Sequence, residues 1–194
     1  MSTGFLLKSR GYVFKMEFSN ISSKIVLILV FLFSFLHQGD IFAMKISSSA
    51  FQHQSFIPSK YTCQGNSISP DLLWRDIPAG TKSLVLIMED PDAPMGLWTH
   101  WILYNIPPEI TSLAENVKVL PKGTEQGLNT LNETGYVAPC PPSGTHRYYF
   151  RLYALDTVLQ PNNKFTNETL KKAMEKHILA QTELMGNYAK KPNS

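Results

Sequence analysis

Between Lys45 and Pro161 short β-prone runs alternate with clusters of turn residues. Leu84–Met88 (LVLIM), Trp98–Ile106 (WTHWILYNI) and Arg147–Leu155 (RYYFRLYAL) are set apart by PDAP, IPP and CPPSG breakers. No helix of ordinary length fits among them. Continuous apolar runs suit central strands covered on both faces, so the pattern predicts an antiparallel sandwich or barrel. From Asn162 to Lys191 proline is absent, and Leu170, Met174, His177/Ile178, Gln181 and Leu184 recur at three- and four-residue steps. That spacing predicts an amphipathic helix over Asn167–Leu184 closing the fold, started by a Thr166/Asn167 cap and stopped at Gly186. No repeat, linker or low-complexity tract interrupts the stretch from about Met44 to Tyr188, which reads as one domain.

Ahead of it lies a different pattern. Ile25–Leu36 (IVLILVFLFSFL) is an apolar run of twelve residues with Lys24 before it and Gln38, Gly39 and Asp40 after it. A bilayer span needs about 20 residues, so this run fits the apolar stretch of a secretory signal. Met16–Lys24 would be its basic flank, with cleavage after Ala43 although Ile41 stands where a small residue is preferred. Residues 1–43 are therefore read as an extension with a signal peptide and 44–194 as the domain, exported to a periplasm or the exterior. Translation from Met44, giving a cytoplasmic protein, and an uncleaved anchor are the alternatives.

Composition matters only after this division. The 194 residues carry 18 Lys and Arg against 15 Asp and Glu, a charge of +3. Without the first 43 residues the balance is 14 basic to 13 acidic, so the excess charge says nothing about the domain's ligand and gives no nucleic-acid footprint. All 13 prolines lie beyond residue 43, well above the usual ~5%. At about 3 kcal/mol for each interior proline, a helix bundle is excluded.

Period-two alternation assigns side chains to faces. Leu84, Leu86, Met88, Asp90 and Asp92 share one parity; Trp98, His100, Ile102 and Tyr104 share another; His146, Tyr148, Phe150 and Leu152 a third. Each strand thus carries polar groups at one end of an apolar face. If the three strands are neighbours, Asp90, His100, His146 and Tyr148 converge at one mouth. Taken singly, DPDAP is a rigid surface turn and a strand histidine is a structural residue; together the segments favour a site. Cys63 and Cys140 allow one pairing, which an oxidising compartment would favour and which requires Cα atoms within about 7 Å. No CxxC or HExxH pattern marks a metal site.

DPDAP followed by WTHW and then GYVAPCPPSGTHRYYFRLYAL resembles the phosphatidylethanolamine-binding protein family, in its prokaryotic branch often called Raf-kinase-inhibitor-like. The likeness runs from KISSSAF through YTCQGNSISPDLLW to AMEKHILAQTELMGNY. It implies a mainly β protein, an antiparallel β-sandwich with short flanking helices and a C-terminal helix, holding a small pocket for phosphate-like anions or phospholipid head groups. By motif, Asp90, His100, His146 and Tyr148 are the polar groups, and Asp92, Pro94, Trp98, Pro141 and Pro142 the walls and floor. The resemblance also implies a cis Ala93-Pro94 bond. Only Met95, Gly96 and Leu97 separate DPDAP from Trp98, so the long loop of eukaryotic members, and the kinase specificity tied to it, does not carry over.

Two imidazoles and a phenol can supply donors and positive charge to a phosphate, while Asp90 orients a histidine or holds the ammonium of an ethanolamine head group. The expected function is non-catalytic binding, without cofactor or metal. The alternative is an inhibitor or regulator of a kinase, peptidase or host protein, acting through a surface beside the pocket. Cys140 or Ser143 with a histidine offers the residue types of a hydrolase, but they sit in a proline-rich turn without a nucleophile elbow. Asp90, Asp92, His100 and His146 match no metal-binding spacing. His53 and His177 are read as surface or structural. Tyr149 and Tyr153, opposite Tyr148, are read as exposed, lining a homodimer contact or a second sheet. Asn132-Glu133-Thr134 and Asn167-Glu168-Thr169 match the glycosylation sequon, which matters only in a eukaryotic secretory pathway.

Overall fold

Each apolar run between Lys45 and Pro161 is a strand in the computed structural model of the protein, which describes residues 5–9, 12–16, 43–160 and 165–191. Residues 1–42 form a separate unit, in which β1 (Phe5–Ser9) and β2 (Tyr12–Met16) pair antiparallel. The apolar run Ile25–Leu36 lies outside the described residues. In the unit from Ala43 onward, β3 (Lys45–Ser47), β4 (Leu72–Arg75) and β7 (Ser112–Leu113) form a small sheet in the order β3-β4-β7. The larger sheet contains β5 (Ser83–Asp90), β6 (Trp98–Ile106), β8 (Glu125–Gln126), β9 (Thr145–Leu155) and β10 (Ile178–Ala189), ordered β10-β9-β5-β6-β8 and antiparallel throughout. A 3-10 turn, Ser59–Tyr61, and one helix, α1 (Asn167–Met174), complete the described elements.

The two sheets enclose the main core. Ile46, Leu72, Trp74 and Leu113 from the small sheet meet Leu84, Leu86, Met88, Leu103, Phe150, Leu152 and Leu184 from the large one. On the reverse of the large sheet Val85, Ile87, Ile102, Tyr104, Tyr153 and Leu155 are covered by Leu159, Phe165 and the Leu170/Met174 stripe of α1. This layering explains why Ser83–Asp90 is buried at every position and why its Leu84–Met88 stretch is an unbroken apolar run. A fully buried leucine here is worth about 2 kcal/mol of burial. Among the described residues no helix is long and apolar enough to cross a membrane.

Four expectations are corrected. The helix stops at Met174, and Ile178–Ala189 is a strand on β9 instead of helical turns. Positions 170, 174, 178 and 184 satisfy a two-residue period as well as a helical one, and Leu184 and Tyr188 enter the sandwich core by alternation. Gly186 is not a helix stop but a mid-strand position under the 51–57 segment, where a Cβ would lie 2.5 Å from Ile57 Cγ1 and 2.8 Å from Phe51 Cε2. The capping box that starts α1, Thr166 with Thr169, is where the sequence puts it. Tyr153 is buried beneath the helix layer, so it lines a core rather than a free surface. The bond before Pro94 is trans, as no cis peptide occurs among the described residues.

The fourth correction concerns β6. Met88 pairs with Trp101 and Glu89 with Thr99, so one step on β5 spans two on β6 and His100 is the extra residue of a bulge. A second irregularity lies between the Leu84–Ile106 and Leu86–Leu103 pairs, where Asn105 has φ 56°. Simple alternation therefore fails. Ile102 and Tyr104 face the helix layer, whereas His100 and its neighbour Trp101 both turn toward the space between the sheets.

Candidate functional site

Strands β9, β5 and β6 lie side by side, and their polar ends meet. Asp90 closes β5, His146 opens β9 with Tyr148 two residues on, and the bulge delivers His100 from β6. All four line a cavity of about 360 Å³, with Pro94, Trp98, Pro141 and Pro142 among its walls. That volume lies near the lower end for small-molecule sites. The remaining walls come from Ala93 and Met95 of the turn after β5 and from Val137, Ala138 and Cys140 of the loop before β9. Gly96, at φ 97°, lets that turn reverse within three residues of Pro94.

Asp90 is nearly sealed from solvent, yet both oxygens are used: Oδ2 lies 2.7 Å from His146 Nδ1 and Oδ1 accepts the Asp92 amide at 2.8 Å. The His146 ring is thereby oriented, with its Nδ1 toward the carboxylate and its plane within 22° of the Tyr148 ring. His100 donates from Nδ1 to the Val137 carbonyl at 2.8 Å, because a carbonyl oxygen can only accept. Its ring meets Tyr148 edge-on at 5.3 Å. Burial pushes the His100 imidazole below its ordinary value, with His146 acting the same way and the Val137 carbonyl and Asp90 opposing. Burial, followed by the Asp90 carboxylate, raises the Tyr148 phenol far above its ordinary value and keeps it protonated. His100 Nε2 and the Tyr148 hydroxyl are buried and have no hydrogen-bond partner among the described residues.

The loop that forms one wall is tied down covalently. Cys63 and Cys140 are joined with Cα atoms 5.4 Å apart, and the Cys63 amide donates to the Pro139 carbonyl at 3.1 Å. Pro139, Pro141 and Pro142 leave the segment little backbone freedom of its own.

The phosphatidylethanolamine-binding protein family model matches residues 47–189. The chain belongs to that family. A UPF0098 protein of Methanothermobacter thermautotrophicus is 51% identical over 148 residues, covering 75% of this chain and 98% of that one. A UPF0098 protein of Chlamydia trachomatis is likewise 51% identical, over 152 residues, 76% of this chain and 99% of the relative. Among solved structures, a phosphatidylethanolamine-binding protein homologue from Chlamydia trachomatis superposes with TM-score 0.73 at 51% identity, covering 77% of this chain and 99% of its own. YbcL of E. coli, a new member of the mammalian PEBP family, gives TM-score 0.71 at 29% identity over 76% of this chain and 99% of its own.

Of the residues that the family motif nominates, Asp92 does not line the cavity. Its carboxylate turns to Arg147, taking the backbone amide at 2.9 Å, Nε at 2.8 Å and Nη2 at 2.6 Å. These bonds draw the Asp92 carboxyl down to about 2. Parity places Asp92 with Asp90, but the strand ends at Asp90 and alternation ends with it. Arg147 is directed away from the cavity by its own parity on β9, so no Lys or Arg is among the lining residues. His177 bonds Asp156 at 2.8 Å and His53 accepts the Met185 amide at 3.2 Å, and neither lines the cavity.

Two features escaped the sequence. The Val137 carbonyl that fixes the His100 tautomer is a contact across 37 residues of chain and has no local signature. On the reverse face, immediately behind Asp90, the fully buried Glu89 is held by Arg151, by Lys171 Nζ at 2.9 Å and by Asn167 Nδ2 at 2.8 Å. An acidic residue beside Asp90 in an otherwise apolar run was its available signal. Glu89 anchors α1 to β5 and so fixes the strand end that presents Asp90.

Proposed function

We propose that the cavity binds phosphate-like anions, free or as phospholipid head groups, without catalysing a reaction. The observation that carries this reading is the pair of buried, unpartnered polar atoms in it, His100 Nε2 and Tyr148 OH. An unsatisfied buried polar group costs about 1–3 kcal/mol, so both favour an occupant that completes their bonding. His146, oriented by Asp90, adds a third group at the same mouth. Pro94, Trp98, Pro141 and Pro142 supply rigid apolar walls that fit a compact head group. Binding rather than covalent catalysis is supported by the state of the nucleophile candidates: Cys140 is in a disulfide, and Ser143 does not line the cavity.

Isothermal titration with inorganic phosphate tests the reading. Binding that is lost in Tyr148→Phe and in His146→Ala, with unchanged circular dichroism, is the expected result; undetectable binding to the native protein overturns it.

Export is part of the same proposal. The disulfide joins two exposed cysteines, an arrangement that persists in oxidising compartments. Mass spectrometry of the protein from its native cells is expected to show a chain beginning at Met44 with no free thiol, and a free thiol at either cysteine speaks for the cytoplasm. The regulator reading rests on Met95 and Leu97, exposed at 92% and 50% beside the cavity. Capture of a partner that survives His100→Ala and is lost on Met95→Glu would favour it.

A further inference from the structure

The fold dictates the hydrogen-bonding sense of one atom in the cavity. His100 Nδ1 carries a hydrogen, because its partner 2.8 Å away is the Val137 carbonyl oxygen. A second hydrogen, on Nε2, would make the ring a cation. The ring is 4% exposed, and the titratable groups that face it are Asp90 from β5 and His146 and Tyr148 from β9, with only the Val137 carbonyl coming from the loop. Asp90 favours the cation, His146 and burial oppose it, and burial is the largest effect. Tyr148 stays an uncharged phenol. Burial disfavours that cation, and in the neutral ring, whose hydrogen the Val137 carbonyl holds on Nδ1, the unpartnered Nε2 offers a lone pair into the cavity. Around it stand a carboxylate and no Lys or Arg. A fully ionised phosphate would therefore meet a lone pair and a negative charge.

We propose that the cavity selects a phosphate monoester in its singly ionised form, whose remaining P–OH donates to His100 Nε2, over phosphodiesters such as phospholipid head groups. The inference rests on the anion-binding reading above and narrows its ligand class. A monoester retains one hydrogen until its second ionisation near pH ~6. A diester has none to give, so it must either leave Nε2 facing an anionic oxygen or force a proton onto a buried ring. The monoester's other oxygens accept from the Tyr148 hydroxyl, and its single charge suits a cavity lined by no Lys or Arg. His100 is thus the specificity-determining residue, acting as an acceptor where an anion site ordinarily presents donors.

The test is calorimetric titration of the full-length protein with methyl phosphate, dimethyl phosphate and glycerophosphoethanolamine at pH 5.5 and pH 8.0. At pH 5.5 methyl phosphate is expected to bind at least about tenfold more tightly than either diester, the size of effect an unsatisfied buried group produces. At pH 8.0 that ratio should shrink by about tenfold or more, because only the monoester loses a hydrogen across the interval. In His100→Gln, whose amide can turn an N–H to the ligand, the preference should fall toward parity; should that variant misfold, the native ratio decides alone. Dimethyl phosphate binding within about threefold of methyl phosphate at pH 5.5 overturns the proposal. So does equal binding by glycerophosphoethanolamine alone, which assigns the donor to an ammonium. Absence of binding by all three overturns the anion-site reading itself along with this one.

Discussion

Removing the Cys63–Cys140 bridge with a double serine substitution should both destabilise the domain and slacken the cavity wall. The bridge closes a sequence separation of 77 residues, spanning β4 through the loop before β9. On chain-entropy reasoning a loop of that length is worth about 4.5 kcal/mol, and measured cases commonly return about 2–4. For a domain of this size 1 kcal/mol shifts the melting midpoint by about 3 °C, so a fall of about 6–12 °C is expected. The disulfide also lies beside Val137, whose carbonyl fixes the His100 ring, and between Pro139 and Pro141 in the wall itself. Phosphate affinity should therefore drop severalfold at temperatures where the variant is still folded. Differential scanning calorimetry of native and variant protein, with phosphate titrations at 15 °C, measures both effects. A midpoint within about 2 °C of native would refute the energetic reasoning, and an unchanged affinity in a destabilised variant would refute the assignment of the loop as a positioned wall.

Three other outcomes are expected. Glu89→Gln leaves Arg151 and Lys171 without their shared carboxylate at the sheet surface; denaturant unfolding should show a loss of about 3 kcal/mol, the lower end for a buried pair because both cations keep partial access to water. Gly186→Ala drives a methyl group into Ile57 and Phe51 and should cost about 1–3 kcal/mol by the same assay, whereas a helix terminus there would tolerate alanine better. Asp92 has its carboxyl drawn down to about 2 by Arg147, so its contribution to stability is present above its unfolded value near 4 and is lost as pH falls through about 2. Asp92→Asn should lower the melting midpoint by a few degrees at pH 7, with the gap to native closing by pH 2; an equal gap at both pH values contradicts the pairing.

How far the sequence carries depends on what each residue leans on. The parity of β9 holds along its whole length, so His146, Tyr148, Phe150 and Leu152 are legible from alternation alone. The double-faced burial of β5 is legible in its unbroken apolar run. On β6 the same rule misplaces Ile102 and Tyr104, because a bulge depends on the register with β5 and not on the strand's own residues. His100 reaches the cavity through that bulge, on a face that it does not share with Ile102. The segment after Met174 is ambiguous in a different way: even-numbered apolar positions fit both periods, and pairing with β9 over residues 145–155 decides for strand. Asp92 follows Asp90 by two, but the strand has ended, and the nearest cation takes it. The tautomer of His100 is settled by the distant Val137 carbonyl, which no local pattern announces.

In the binding mode proposed, His100, His146 and Tyr148 together surround a phosphate group in the cavity beside Asp90. A crystal of the protein soaked in phosphate near pH 5.5 tests it most directly. A tetrahedral anion within hydrogen-bonding distance of His100 Nε2, the Tyr148 hydroxyl and His146 Nε2 is the expected result. A cavity free of phosphate at saturating concentration, in a crystal whose cavity mouth is open to solvent, would contradict it.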